Sequence, residues 1–270
     1  MAPVAIWPLL LAAIASTCSA SAGDPGDSAT LLQLDATVGH AKEDACECLV
    51  WKDVYQKHGL ECGKGKELTF AGGYEAKAEY GDTFCTKFYE KLSGNYCAQL
   101  HWGQQREEQW CYVSKACTSF DIGMGGNAGP VKWKQCTPGK DKMLGRMPLE
   151  EIYNLSVAEM VDFSMFAKMS YPVYKTWGLI WPAVHICAVN PSETGEKCIA
   201  TREVQAGGQP MIFDSKTGST PFGMVYGDKA YEIRFTKWFY GNALRHPDRL
   251  AIPENVVKAT EYECVAGCGQ

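Results

Sequence analysis

The chain has 270 residues, a formal net charge of -5, and a composition that is 46% hydrophobic and 11% aromatic. It is too apolar and aromatic for a disordered chain, and it lacks the glycine period of a fibre. The mildly acidic balance gives no basic face, so no nucleic-acid partner is expected. The unusual number is thirteen cysteines.

Residues 4–14 (VAIWPLLLAAI) are uncharged and apolar, and Ala20-Ser21-Ala22 precedes Gly23. The small-x-small form suits signal peptidase. The apolar run is shorter than the ~20 residues needed to cross a bilayer, so residues 1–22 read as a removed signal peptide rather than an anchor. No transmembrane segment is expected in the mature chain. Cleavage at that point removes Cys18 and leaves twelve cysteines: Cys46, Cys48, Cys62, Cys85, Cys97, Cys111, Cys117, Cys136, Cys187, Cys198, Cys264 and Cys268. An even set behind a signal peptide points to disulfides formed in an oxidising compartment. Zinc is the competing chemistry. Cys46-x-Cys48 and Cys264-x3-Cys268 are not C-x2-C pairs, however, and the histidines do not lie at ligand spacing, so neither metal nor cofactor is expected.

Residues 23–45 carry five carboxylates against Lys42 and are otherwise small and polar. This stretch reads as an acidic, flexible leader. Residues 46–136 then hold eight of the twelve remaining cysteines. Within them Cys48, Trp51, Tyr55, Gly59 and Cys62 find an echo in Cys85, Phe88, Tyr89, Gly94 and Cys97. Each unit suggests a short helix with a glycine exit, held by disulfides because so short a helix is marginal alone. A small, disulfide-stapled, mainly helical N-terminal half is therefore predicted. The Gly/Pro/Lys stretch at 137–142 marks a boundary, and residues 145–270 form the second unit.

That second unit predicts α+β structure: a helix pair, an antiparallel sheet and a cysteine-containing tail. Pro148 takes a first helical position, with Glu150 and Glu151 behind it, and Ser156 to Glu159 reads as a capping box. Residues 184–189 and 197–204 read as strands flanking a turn, with Cys187 and Cys198 placed to bridge them. Further strands are predicted at 211–214, 223–226 and 231–239, where Tyr231, Ile233 and Phe235 alternate. Pro253 opens a last short helix.

Candidate sites are few. The segment 123–128 matches G-x-G-x-x-A, but Gly129-Pro130 follows at once and no βαβ unit surrounds it, so a surface loop is expected. Trp102, Trp110, Tyr112 and Trp133 cluster in sequence and are candidate binding residues for an extracellular glycan or protein, although stapled domains also use such rings as core. No metalloprotease, nucleophile-elbow or deaminase motif is present. If the protein were an enzyme, His101, beside Glu107 and Glu108, or His185 would be the catalytic candidates. Asn154-Leu155-Ser156 is a glycosylation sequon.

The residues Cys46, Cys48, Trp51, Tyr55, Cys62, Phe88, Tyr89, Cys97, Trp110, Cys111, Tyr112 and Cys117 form a pattern over about 46–117 that resembles cysteine-rich secreted proteins of dinoflagellate algae. The resemblance implies no activity, and it allows onward targeting such as to a plastid. The expectation is thus a secreted, disulfide-rich, non-catalytic cell-surface or binding protein; the alternative is a secreted hydrolase with its site between the two halves.

Overall fold

The computed structural model describes residues 45–72, 83–118, 124–174 and 179–269. The expected signal peptide and nearly all of the acidic leader lie outside the described residues.

Short helices come first, as the cysteine-bounded units suggested. Helix α1 (Trp51–Gln56) buries Trp51 and Val54, and α2 (Glu67–Phe70) follows it. Cys85–Tyr89 is a single π-helical turn. The chain then becomes a sheet, which overturns the expectation of a mainly helical half. Strand β1 (Tyr96–Gln99) pairs with β2 (Gln109–Val113), and β2 pairs in turn with β4 (Val131–Gln135). Strand β3 (Gly125–Ala128) folds back on β4, and β5 (Lys142–Met143) adds a parallel edge to β1. Five strands stand in the order β3-β4-β2-β1-β5. The physical reason lies in Gln109-Trp110-Cys111-Tyr112-Val113, whose residues are all buried. A strand covered on both faces shows no alternation, so its period stays hidden in the sequence. The expected loop at 123–128 likewise contains strand β3, which turns through Gly129 at a φ of 70° into β4.

Four disulfides cross this region: Cys46–Cys117, Cys48–Cys111, Cys62–Cys85 and Cys97–Cys136. Cys187–Cys198 and Cys264–Cys268 complete the twelve.

Helix α3 (Leu149–Ala158) begins after Pro148, which is its N-cap residue rather than its first helical one. Ser156 lies inside α3 and donates to the Tyr153 carbonyl at 2.7 Å, so it caps nothing. The cap belongs to Asp162, whose carboxylate accepts from the Met165 amide at 3.0 Å and opens α4 (Phe163–Ser170). Between the helices Met160 adopts a φ of 55°, which ends α3 and turns the chain. Strand β6 (Val173–Tyr174) follows.

The two strands expected at 184–189 and 197–204 are helices, α5 (Trp181–Val189) and α6 (Glu196–Gly207), joined by Cys187–Cys198. Trp181, Val184 and Cys187 are buried, a three-residue spacing that marks one helical face. Val184, Ile186 and Val189 make the segment read as extended and hide that period. The other predicted strands form as β7 (Met211–Phe213), β8 (Phe222–Tyr226) and β9 (Lys229–Phe235), with β10 (Thr260–Ala266) at the end. The last predicted strand stops at Phe235 instead of 239, because Phe239–Ala243 is a π-helical turn. Helix α7 (Pro253–Val256) opens at Pro253 as expected. The order is β10-β9-β8-β7-β6, and the sheet is mixed rather than antiparallel because β6 runs parallel to β7.

All described residues fall within one compact unit, Gly39–Gln270. One hydrophobic cluster runs from Trp51 and Trp110 through Phe88 and Phe166 to Ile212 and Ile233. Gln109 on β2 adds a polar joint: its amide donates to the Ser170 carbonyl of α4 at 2.7 Å, and its oxygen accepts from the Gly145 amide at 3.1 Å. Glu159, at the end of α3, accepts from the backbone and hydroxyl of Ser93. Helix α5 sits so close to β8 that a Cβ built on Gly223 would lie 1.7 Å from the Trp181 ring.

Candidate functional site

The sequence-derived candidates separate in space. Trp110 is 0% and Tyr112 1% exposed. Both rings pack edge-on against Trp51, at 5.0 and 5.5 Å, so they build the core and present nothing to a ligand. Trp133 is half-buried with its ring 4.9 Å from Phe70. Trp102 alone of the four lines a cleft, packed at 5.0 Å against Phe84.

The histidines do not meet in a site. His101 follows β1, where burial and then the Arg106 guanidinium hold its imidazolium below the ordinary value, with Glu108 acting in the opposite direction. The neighbouring carboxylates are taken: Glu108 pairs with Arg106 at 2.5 Å, and Glu107 pairs with Arg146 at 3.3 Å. The Arg106 hydrogen bond keeps the Glu108 carboxyl below its usual range. His185 lies on α5 with its ring 5.5 Å from Trp181. Among the described residues that line the main cleft, neither histidine appears. Asn154 is exposed on α3.

The cleft holds about 910 Å³. One wall comes from the cysteine-rich region through Phe84, Lys87, Lys91 and Trp102, and the other from α4 and the second sheet. Met165, Phe222, Phe235 and Phe239 supply apolar surface on that second side. Phe235 and Phe239 stack face to face at 3.9 Å with an interplanar angle of 8°.

Its polar groups are mostly committed to holding the walls. Lys168 on α4 pairs with Asp214 at 2.8 Å, donates to the Gly218 carbonyl, and stands 4.6 Å over the Phe222 ring. This fixes the loop after β7 to α4. Asp162 accepts from the Met165 amide, the Ser164 hydroxyl and, at 3.0 Å, the Thr260 hydroxyl. Three groups remain available. Lys87 and Lys91 have no ion-pair partner among the described residues, and the Thr220 hydroxyl is shielded from solvent without a hydrogen-bond partner there. The loop Ser215-Lys216-Thr217-Gly218-Ser219-Thr220 looks like any surface turn in sequence, so its part in the cleft had no local signal. The cleft aromatics are likewise spread from Phe84 to Phe239, and only the fold gathers them.

A second polar cluster is closed to solvent. Glu67 on α2 is 0% exposed. It accepts from Tyr55 at 3.1 Å and from the Gly63 amide at 3.2 Å, while Tyr112 is hydrogen-bonded to the Lys66 amide at 2.8 Å. Burial raises the Glu67 carboxyl above its ordinary value, and the hydrogen bonds from Tyr112, Tyr55 and Gly63 pull the other way. Burial also drives the phenols of Tyr55 and Tyr112 upward, with Glu67's charge adding to it. This network ties α1, α2 and β2 together. Sequence reading missed it because a glutamate on a short helix is ordinarily solvated.

Compared with known proteins, the chain matches no protein-family model, no curated protein and no solved structure.

Proposed function

We propose that this disulfide-rich chain is a secreted binding protein whose ligand occupies the cleft between the cysteine-rich region and α4 with the second sheet. The observation that carries the reading is the division of labour among the lining groups. Asp162, Lys168 and Asp214 are engaged in structural bonds, while aromatic and thioether surface stays available. A concave apolar site of several hundred Å³ with a few convergent polar groups is the usual form of a small-molecule site. Lys87 and Lys91 at one wall favour an anionic end group, and the Thr220 hydroxyl favours an acceptor deeper in. The ligand class is therefore an amphipathic molecule with an apolar body and an anionic end. The cleft's enclosed aromatic surface favours it over a glycan or a protein surface.

Secretion is part of the same reading. Six disulfides suit an oxidising compartment, and among the described residues no helix is long and apolar enough to cross a membrane. The resemblance to secreted dinoflagellate proteins and the sequon at Asn154 point the same way. The test is a titration followed by tryptophan fluorescence, to which Trp102 in the cleft contributes, compared with that of Trp102→Phe. The ligands are a long-chain carboxylate, its neutral alcohol and an oligosaccharide. Saturable binding of the carboxylate, weakened about tenfold or more by Met165→Trp, is expected, since filling an apolar pocket removes the contacts that hold the ligand. Lys87→Glu with Lys91→Glu should weaken the carboxylate and leave the alcohol unchanged. Binding of the oligosaccharide alone, or indifference to Met165→Trp, would overturn the assignment.

A further inference from the structure

Two of the disulfides touch each other. Cys48–Cys111 and Cys97–Cys136 are packed so that all four sulfurs lie within 4.8 Å of one another, and all four cysteines are buried. The Cys48 sulfur is 3.7 Å from that of Cys97 and 3.9 Å from that of Cys136. In a tetrahedral tetrathiolate with Zn–S bonds of about 2.3 Å, the sulfurs stand about 3.8 Å apart. The Cys48–Cys97 and Cys48–Cys136 contacts already have that spacing, and the bonded pairs reach it only when their disulfides open. The ligands also come from separate places: Cys48 precedes α1, Cys97 is on β1, Cys111 is on β2, and Cys136 follows β4. Spacing rules look for pairs close in sequence, so this set escapes them.

A second feature is a charged pair beside the cluster that two neutral cystines would not require. Lys134 and Asp141 bond at 2.8 Å with side chains only 8% and 5% exposed. Asp141 also lies 3.6 Å from the Cys48 sulfur and accepts from the Thr137 amide. Taking such a pair out of water costs several kcal/mol unless other charges or bonds compensate. Four thiolates around a divalent ion carry two net negative charges. The Lys134–Asp141 pair is neutral as a whole, and its ammonium balances the carboxylate that would otherwise face the Cys48 sulfur uncompensated. Outer groups of this kind orient and tune thiolate metal sites.

We propose that Cys48, Cys97, Cys111 and Cys136 form a tetrathiolate site for a thiophilic divalent cation of the zinc class, interconverting with the two disulfides. A dithiol reductant opens each disulfide by giving up two electrons and two protons, and becomes a disulfide itself. Both openings yield four thiols. The cation replaces their four protons, which go to solvent, and the formerly bonded sulfurs draw apart to surround it. In the reverse direction two small-molecule disulfides take the four electrons and, with four protons from solvent, leave as four thiols, while the two cystines re-form and the cation leaves. Soft thiolates favour zinc or cobalt over magnesium or calcium at such a site. The inference is independent of the cleft.

The test uses the full chain, denatured, reduced and refolded without oxygen in the presence or absence of one equivalent of Co²⁺. One ion per chain should bind with the absorption of four thiolate ligands. Peptide mapping after alkylation should show metal-dependent protection at these four cysteines, with the other eight labelled equally in both samples. Cys187→Ser with Cys198→Ser should retain the spectrum, whereas Cys48→Ser with Cys136→Ser should abolish it. An oxidised small-molecule disulfide should release one Co²⁺ as Cys48–Cys111 and Cys97–Cys136 return. No uptake by the unsubstituted chain, protection of a different or scattered set of cysteines, or retention of cobalt after reoxidation would each overturn the proposal. The alkylation map needs no variant, so a misfolded double mutant does not decide the matter.

Discussion

The cysteine-rich region and the second sheet reach a buried core by different routes. In the first, four disulfides join residues separated by 71, 63, 23 and 39 positions. They fasten the chain before α1 to β2 and its end, and they tie β1 to the residue after β4. In the second, the separations are only 11 and 4. Cross-links over short loops remove little freedom from an unfolded chain. There the order comes from contact: Phe163, Phe166, Ile212, Phe222, Met224 and Ile233 are all buried. Long-range staples therefore add to packing where the elements are short, whereas the second sheet is packed with little covalent help.

If that contrast is right, removing Cys48–Cys111 as Cys48→Ala with Cys111→Ala should cause the largest loss. The chain-entropy estimate for such a loop is about 4 kcal/mol. Urea unfolding should show the drop, and a loss below about 1 kcal/mol would contradict the entropic account. Next in size, Gly223→Ala strikes the second region at its closest contact, where a Cβ would overlap the Trp181 ring. Overpacking of this kind costs about 1–3 kcal/mol. The midpoint should fall, and the tryptophan fluorescence should shift relative to the native protein as α5 and Trp181 are pushed off β8. No change in either would mean that α5 is loosely docked, and the contrast between the regions would fail.

Cys264→Ala with Cys268→Ala should matter less. Its loop is worth about 2 kcal/mol at most on the same estimate. Cys264 is half-buried near the end of β10 and Cys268 lies exposed beyond it, so the link holds only the chain's last turn. An effect equal to that of Cys48–Cys111 would show that loop length does not rank these staples.

How much of this was readable in sequence follows the same division. The disulfide character and the late strands were legible, because cysteine parity and the alternation of Tyr231 and Ile233 are local signals. Strand β2 was not: burial on both faces erased its period, and the two short helical units in front of it drew the reading toward helix. Helices α5 and α6 were mistaken for strands because Val184, Ile186 and Val189 favour extended structure locally, while packing on β8 selects the helix. The cleft depends on Phe84, Trp102, Phe222 and Phe239 meeting across the fold, and no spacing rule predicts that. The burial of Trp110 and Tyr112 is legible only in hindsight, from their place in an all-buried strand.

The smallest effect concerns Glu67, an acid buried in the stapled region's aromatic core. Burial raises its pKa in the folded protein above its unfolded value. The folded state therefore holds the proton more tightly, and the sign of the linkage is fixed. Below the ordinary glutamate value of about 4.3 the group is protonated in both states and adds no charge penalty. As pH rises from there through the raised folded value, the folded state must accept a buried charge, and stability falls. Above that value the penalty is complete and constant. Glu67→Gln keeps the shape and removes the titration. The stability of the native protein minus that of Glu67→Gln, measured by urea unfolding from pH 4 upward, should accordingly decline with pH and then level. A difference that climbs with pH would mean that the donors from Tyr55, Tyr112 and Gly63 outweigh desolvation. The network would then act as a charge-holding brace between α1, α2 and β2 rather than a neutral one.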